Sequence, residues 1–181
     1  FVASTYMRGI YLIMVPTKQL SMVDSTIGGK TAINLISGKN LAGAFYQPSL
    51  VYICVEFLKT LSNREITSGM GEVIKYALIK KDITIQDLKE GITKELIYKC
   101  AKIKSEIITR DEKENGERKL LNLGHTIGHA IEKASNYAFS HGVSVLLGID
   151  IALKVSKKLF NLTEENYLKA KELLKLVNVN Y

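Results

Sequence analysis

Tryptophan is absent from this 181-residue sequence, and proline, cysteine and histidine occur only two, two and three times. The cysteine shortage excludes a disulfide framework. Cys54 and Cys100 form no CxxC pair and sit in apolar sequence (YICVEF, IYKCAKI), as buried free thiols of a reducing compartment do. No apolar run reaches the roughly 18 residues that a membrane span needs; the best stretch, VSVLLGIDIALKV from Val143, is broken by Asp150 and Lys154. Internal repeats and low-complexity tracts are missing as well. The chain opens at Phe1 in FVASTYMRG, without an initiator Met or the basic and apolar regions of a signal peptide, and reads as a piece of a longer protein. A soluble cytoplasmic protein with no membrane partner is expected.

What is present is 46% hydrophobic residues, enough for one good-sized core or one domain plus part of another, and a formal net charge of +7. A basic balance suits an anionic partner, whether nucleic acid, an acidic membrane surface or a small phosphorylated carboxylate. The lysines are scattered among acids rather than gathered in a stripe with aromatics, which argues against nucleic acid. In RDEKENGERK, residues 110–119, Lys113 lies between Glu112 and Glu114, the pattern of a solvated helical face.

Up to about Leu58, β-branched and aromatic runs alternate with turn signals: IYLIMVP, GGK, TAINLI, SGKN, SLVYICVEF. Both prolines, Pro16 and Pro48, fall there. From Ser62 the period becomes helical, in segments near 63–80, 93–110, 118–136, 142–160 and 163–176. Ser62 and Glu65 have the spacing of a capping box, which satisfies N–H groups that a helix start leaves unpaired. An α/β segment over 1–60 followed by an all-α domain over 61–181 is therefore expected.

All three histidines fall within seventeen residues: His125 and His129 in NLGHTIGHAIE, and His141 in FSHGVSV. Four apart on a helix, His125 and His129 project from one face, and His141 can fold back toward them after a loop. Catalytic zinc commonly takes three protein ligands, His₂Glu among them. Glu72, in SGMGEVIKYALI, is the best carboxylate candidate, because an acid on an apolar helix face needs a partner or a cation. The competing reading is a set of core histidines satisfied by hydrogen bonds.

Two glycine turns end in cations, Gly28-Gly29-Lys30 and Gly38-Lys39-Asn40, and such turns can present N–H groups and an ammonium to a phosphate. GGK lacks the P-loop spacing, and ordinary β-turns use the same residues. Arg118 and Lys104 can bring a carboxylate or phosphate to a metal, with Asn122 one turn before His125 on the same helix face. Taken singly, each of these also reads as solvated surface charge.

Read in order, FVASTYMRG, VPT, VDSTIGGKT, GKNLAGAFYQP, LKTL, GEVIKYALI, LNLGHTIGHAIE and SHG resemble the motifs of 3-dehydroquinate synthases over about residues 1–148. The resemblance implies the end of an NAD-binding α/β domain followed by a helical metal-binding domain, in a homodimer with the active site in the cleft between domains. Glu72, His125 and His141 then match the ligands of a divalent metal, zinc or cobalt, and His129 a residue beside the substrate. Arg8, Asp24, Lys30, Lys39, Asn40, Lys75, Lys104, Arg118 and Asn122 match positions around the substrate, with Arg8 directed to the site of a partner subunit. Thr17, Thr60, Leu61 and Glu65 match the NAD side, to which Asp24, Lys30 and Lys39 also belong.

The implied reaction converts 3-deoxy-D-arabino-heptulosonate 7-phosphate to 3-dehydroquinate with loss of phosphate, on the shikimate route to aromatic amino acids, with NAD reduced and reoxidised in each turnover. Lys18, Gly71, Val143 and Ser144 depart from the family pattern, and the glycine-rich NAD loop belongs upstream of Phe1, so the 181 residues alone are expected to be inactive. Rival readings are a sister sugar-phosphate cyclase of the inosose or valiolone synthase type, and a non-catalytic helical domain with a structural metal.

Overall fold

The computed structural model describes residues 1–177, apart from the side chain of Lys39. The early part is a set of short pieces. A helical turn α1 (Val2–Thr5) leads to β1 (Ile13–Met14), which pairs in parallel with β4 (Leu50–Val51). Between them, β2 (Lys30–Leu35) and β3 (Gly38–Phe45) form an antiparallel hairpin with Lys30 opposite Phe45 and Ala32 opposite Gly43. The hairpin is irregular between Ile33 and Leu35, where Asn34 Oδ1 accepts the N–H of Asn40, a residue at φ +56. Lys39 and Asn40 thus belong to a strand rather than to a tight turn.

Five longer helices follow, with one short one: α2 (Asn63–Ile79), α3 (Ile85–Lys89), α4 (Lys94–Arg110), α5 (His125–Ala134), α6 (His141–Leu159) and α7 (Glu164–Lys175). The sequence of α4 explains its seat. Leu96, Ile97, Cys100, Ile103 and Ile107 recur on one face and are buried, with Thr93 capping the start through the Leu96 N–H at 3.1 Å. Lys104 lies in that same apolar stripe. Helix α2 is buried all round from Gly71 to Tyr76, as a central helix must be.

The core joins Val73, Ile74 and Tyr76 of α2 to the α4 stripe and to Leu146 of α6. Met22 and Val23 enter it from an i→i+5 turn, Ser21–Ser25, that packs on α2 and α4. Residues of the strand-and-loop part therefore complete the core of the helical part, and the same turn aims Asp24 at the α2–α4 junction.

Several expectations are corrected. Residues 118–136 are not one helix: a 3₁₀ turn (Glu117–Asn122) ends before Gly124, whose φ of +79 breaks the path, so Asn122 does not share a helix face with His125. RDEKENGERK is no solvated helical face either. Helix α4 stops at Arg110, Asp111 accepts the N–H groups of Asn115, Gly116 and Arg118, and the Arg118 side chain is buried. The Ser62 box is half formed, since the Ser62 hydroxyl caps the Glu65 N–H but the Glu65 carboxylate takes Lys18 at 3.1 Å. A reciprocal box stands instead at Thr84 and Asp87. Cys100 is buried, and burial pushes its thiol up to about 12, while Cys54 is only half-buried. Among the described residues, no helix is long and apolar enough to cross a membrane.

Candidate functional site

Three helices meet at one point. On α2, Gly71 lies against the backbone of Gly142 at the start of α6; a Cβ on Gly71 would stand 2.3 Å from the Gly142 carbonyl oxygen, and one on Gly142 would stand 1.7 Å from that of Ser68. That contact sets Glu72 beside His141, and α5 packed along α6 brings in His125. Glu72 Oε1 is 3.2 Å from His141 Nε2 and 3.4 Å from His125 Nε2. The three imidazole rings have centroids 5.3 to 5.8 Å apart.

The donor set fits a divalent metal. Two nitrogens and one carboxylate oxygen, all within 4.8 Å of one another, are the donor types that an open His₂Glu zinc site uses. Donors held about 2.1 Å from a tetrahedral ion stand roughly 3.4 Å from each other, and the two Glu72–His separations match. Burial pushes the Glu72 carboxyl up, but Lys75 and the hydrogen bonds of His125 and His141 outweigh it, so the group lies well below its ordinary value and is ionised, as a ligand must be. His129, His141 and Glu132 make a second close group.

Beside the triad runs a buried ionic chain. Lys75 Nζ pairs with Glu72 Oε2 and stands 3.7 Å from Asp24 Oδ1. Asp24 also accepts from the Tyr76 hydroxyl at 2.5 Å and pairs with Lys104 at 2.9 Å. Burial pushes Asp24 up, but Lys75 and Lys104 outweigh it and hold the carboxyl below its ordinary value. Lys104 goes the other way, since burial depresses its ammonium more than Asp24 raises it.

Asp24, Lys30, Asn40, Lys75, Lys104, Arg118, Asn122, His125 and His129 line a single cleft of about 310 Å³. A larger hollow of about 620 Å³ beside Leu78, Leu123 and Ile127 is mostly apolar and is set apart from the ionic chain. The surface-charge reading of Lys104 and Arg118 is overturned, because both are buried. Two Arg118 nitrogens are already committed, donating to the Gly28 carbonyl at 2.7 Å and to the Glu112 carbonyl. The Gly28-Gly29 turn, with φ of +113 and +65, is thereby docked onto Arg118.

Arg8, Thr17, Thr60, Leu61 and Glu65 do not line the cleft. Arg8 is exposed in the turn after α1, and Thr17 and Thr60 are exposed on the strand-and-loop part. Lys39, as far as its side chain goes, lies outside the described residues.

Sequence reasoning missed Glu132, Tyr76 and Glu114. Glu132 Oε2 lies 3.4 Å from His141 Nδ1, behind the ring whose Nε2 faces Glu72. Its signal was present, seven residues after His125 and three after His129 on one helix face.

Residues 1–68 match the family model for the 3-dehydroquinate synthase N-terminal region, and residues 69–181 that for the 3-dehydroquinate synthase C-terminal region. The chain belongs to the 3-dehydroquinate synthase family. Relatives within this family include the 3-dehydroquinate synthase of Thermococcus kodakarensis, 49% identical over 97% of this chain and 50% of that protein. That of Pyrococcus furiosus is 48% identical over 88% of this chain and 49% of that protein. The chain spans about half the length of the curated relatives it matches.

Among solved structures, a 2-deoxy-scyllo-inosose synthase complexed with carbaglucose-6-phosphate, NAD+ and Co2+ is similar with a TM-score of 0.90 and 33% identity, covering 97% of this chain and 51% of that one. A 2-epi-5-epi-valiolone synthase from Streptomyces hygroscopicus with NAD+ and Zn2+ bound gives 0.79 and 25%, covering 98% and 54%. Family membership bears out the resemblance carried by the sequence motifs, and these neighbours bear out an α/β part followed by a helical part.

Proposed function

We propose that this chain forms the metal- and substrate-binding half of a 3-dehydroquinate synthase, which converts 3-deoxy-D-arabino-heptulosonate 7-phosphate to 3-dehydroquinate with release of phosphate. The observation that carries the reading is the Glu72–His125–His141 donor set, whose His125 lines a cleft together with Lys30, Lys75, Lys104 and Arg118. A substrate bearing both a phosphate and a carboxylate suits that many cations. Division of the chain at residues 60 and 61 is supported by the Ser62 cap and by the start of α2 at Asn63.

Glu72, His125 and His141 would hold the metal, and Thr17, Thr60, Leu61 and Glu65 would face the NAD, whose ribose hydroxyls suit the exposed threonine hydroxyls and the half-buried, Lys18-paired Glu65 carboxylate. When bound, the metal supplies Lewis-acid polarisation of a substrate oxygen and NAD a reversible hydride acceptor. Lys30 and Asn122, with Asn40 on the adjoining strand, hold the phosphate, and Lys104 and Arg118 face the carboxylate. His129 offers an imidazole at the cleft, suited to moving a proton on a substrate oxygen. Lys75 keeps Glu72 and Asp24 ionised while water is kept from the centre. Arg8, exposed and away from the cleft, serves a second subunit of a homodimer, and a reducing cytoplasm is the setting.

Phosphate release from 3-deoxy-D-arabino-heptulosonate 7-phosphate, measured on the complete protein with NAD and zinc, tests this. Release that depends on both additions and falls at least about a thousandfold in His125→Ala is expected, with none from the 181 residues alone. Turnover of a hexose phosphate instead would move the assignment to an inosose-type cyclase.

Glu132 is assigned the task of orienting His141 through Nδ1. Glu132→Gln should weaken zinc binding about 10- to 100-fold in a chelator competition. Unchanged affinity would deny it that role.

A further inference from the structure

One carboxylate of the Asp111–Gly116 loop points inward. Asp111 anchors the loop by accepting N–H groups from Asn115 at 2.9 Å, Gly116 at 2.7 Å and Arg118 at 3.0 Å. Within it Glu114 has φ +62, a left-handed conformation that a residue of its kind seldom adopts and that persists only where the surroundings over-determine it. Those surroundings are two groups its carboxylate engages: Oε2 pairs with Lys30 Nζ, and Oε1 accepts from Asn122 Nδ2. Lys30 starts β2 and Asn122 ends the 3₁₀ turn, yet both line the cleft that holds His125 and His129. Burial pushes the Glu114 carboxyl up, but Lys30 and Asn122 outweigh it and keep it below its ordinary value.

We propose that Glu114 is a built-in counter-anion: its carboxylate holds the Lys30–Asn122 seat and has to swing out before the phosphate of a ligand can take that seat. The proposal rests on the reading of the cleft as a site for a phosphorylated substrate. Two carboxylate oxygens make the contacts that two phosphate oxygens would make, one to an ammonium and one to an amide. The loop residues on either side, Glu112, Lys113, Asn115 and Gly116, are exposed, so the side chain has somewhere to go. Such a competitor favours dianions over neutral sugars, because only a ligand of greater charge displaces an intramolecular carboxylate.

Calorimetric titration of the full chain with inorganic phosphate tests this in the wild type, Glu114→Gln and Lys30→Ala. Glu114→Gln should bind phosphate about three- to tenfold more tightly, the range that loss of a partly exposed ion pair allows. Lys30→Ala should bind it at least about tenfold more weakly. If Lys30→Ala weakens binding while Glu114→Gln leaves it equal or weaker, Glu114 orients Lys30 instead; the counter-anion reading then fails though the seat stands. Phosphate binding indifferent to Lys30→Ala would remove the seat itself, and the proposal with it. Should the amide variant fail to fold, Glu114→Gly, which suits a φ of +62, carries the same expectation.

Discussion

Lys75→Met is expected to destabilise the protein by about 3–5 kcal/mol, read as a fall in the urea midpoint at unchanged slope. Lys75 is 1% exposed and lies between two carboxylates, Glu72 on its own helix and Asp24 on the turn that docks there. Burial pushes its ammonium down, yet Asp24 and Glu72 outweigh this and keep it above its ordinary value, so the group is a cation. Methionine fills a similar volume and leaves the cavity term small, so the loss reports uncompensated charge rather than packing. Lys104 would then be left as the cation against two acids. Zinc should accordingly raise the midpoint of the variant by more than that of the wild type, since it supplies positive charge at Glu72. A loss below about 1 kcal/mol, the range of a surface pair, would mean that the ionic chain is far better solvated than its burial implies.

Gly142→Ala should be nearly as damaging, at about 2–4 kcal/mol. The new methyl would meet the Ser68 carbonyl oxygen at 1.7 Å, and backbone cannot step aside as a flexible side chain can. Helices α2 and α6 have to separate, and Glu72 moves with the first and His141 with the second. The variant should therefore lose zinc affinity as well as stability. The informative comparison is Gly91→Ala, a glycine with open space around its Cβ position but a φ of +79. It should lose only about 1 kcal/mol, the cost of the left-handed backbone, and keep its metal binding unchanged. Equal effects at the two glycines would deny that helix contact sets the metal geometry.

How far the site could be read in advance depended on which force places each group. Periodicity gave α4, since an amphipathic helix declares its buried face, but not that Lys104 would lie on it, because a single lysine reads as surface charge. The histidines declared themselves by scarcity and spacing. Arg118 did not, because nothing in RDEKENGERK distinguishes a charge that will be buried against the Gly28 carbonyl, ninety residues away in sequence, from one that meets water. Gly124 was equally silent: a single glycine in an amphipathic pattern is usually tolerated, and only its φ of +79 and the closeness of Ile149 show that it ends one segment and starts another. Asp24 came from a motif alone, since an i→i+5 turn has no hydrophobic period to betray it.

The placement of Glu72, Lys75 and Tyr76 on a helix buried on every side has a consequence for how such a protein can change. Groups that would do chemistry are the same groups that hold the interior together, so their sequence freedom is small, and drift at these positions is paid in folding as well as in turnover. New specificity has to be found at the rim, in the β2–β3 hairpin and the Asp111–Gly116 loop, where exposed residues can be exchanged without disturbing the interior. Laboratory diversification aimed at those two segments should yield folded variants at a far higher frequency than libraries aimed at α2.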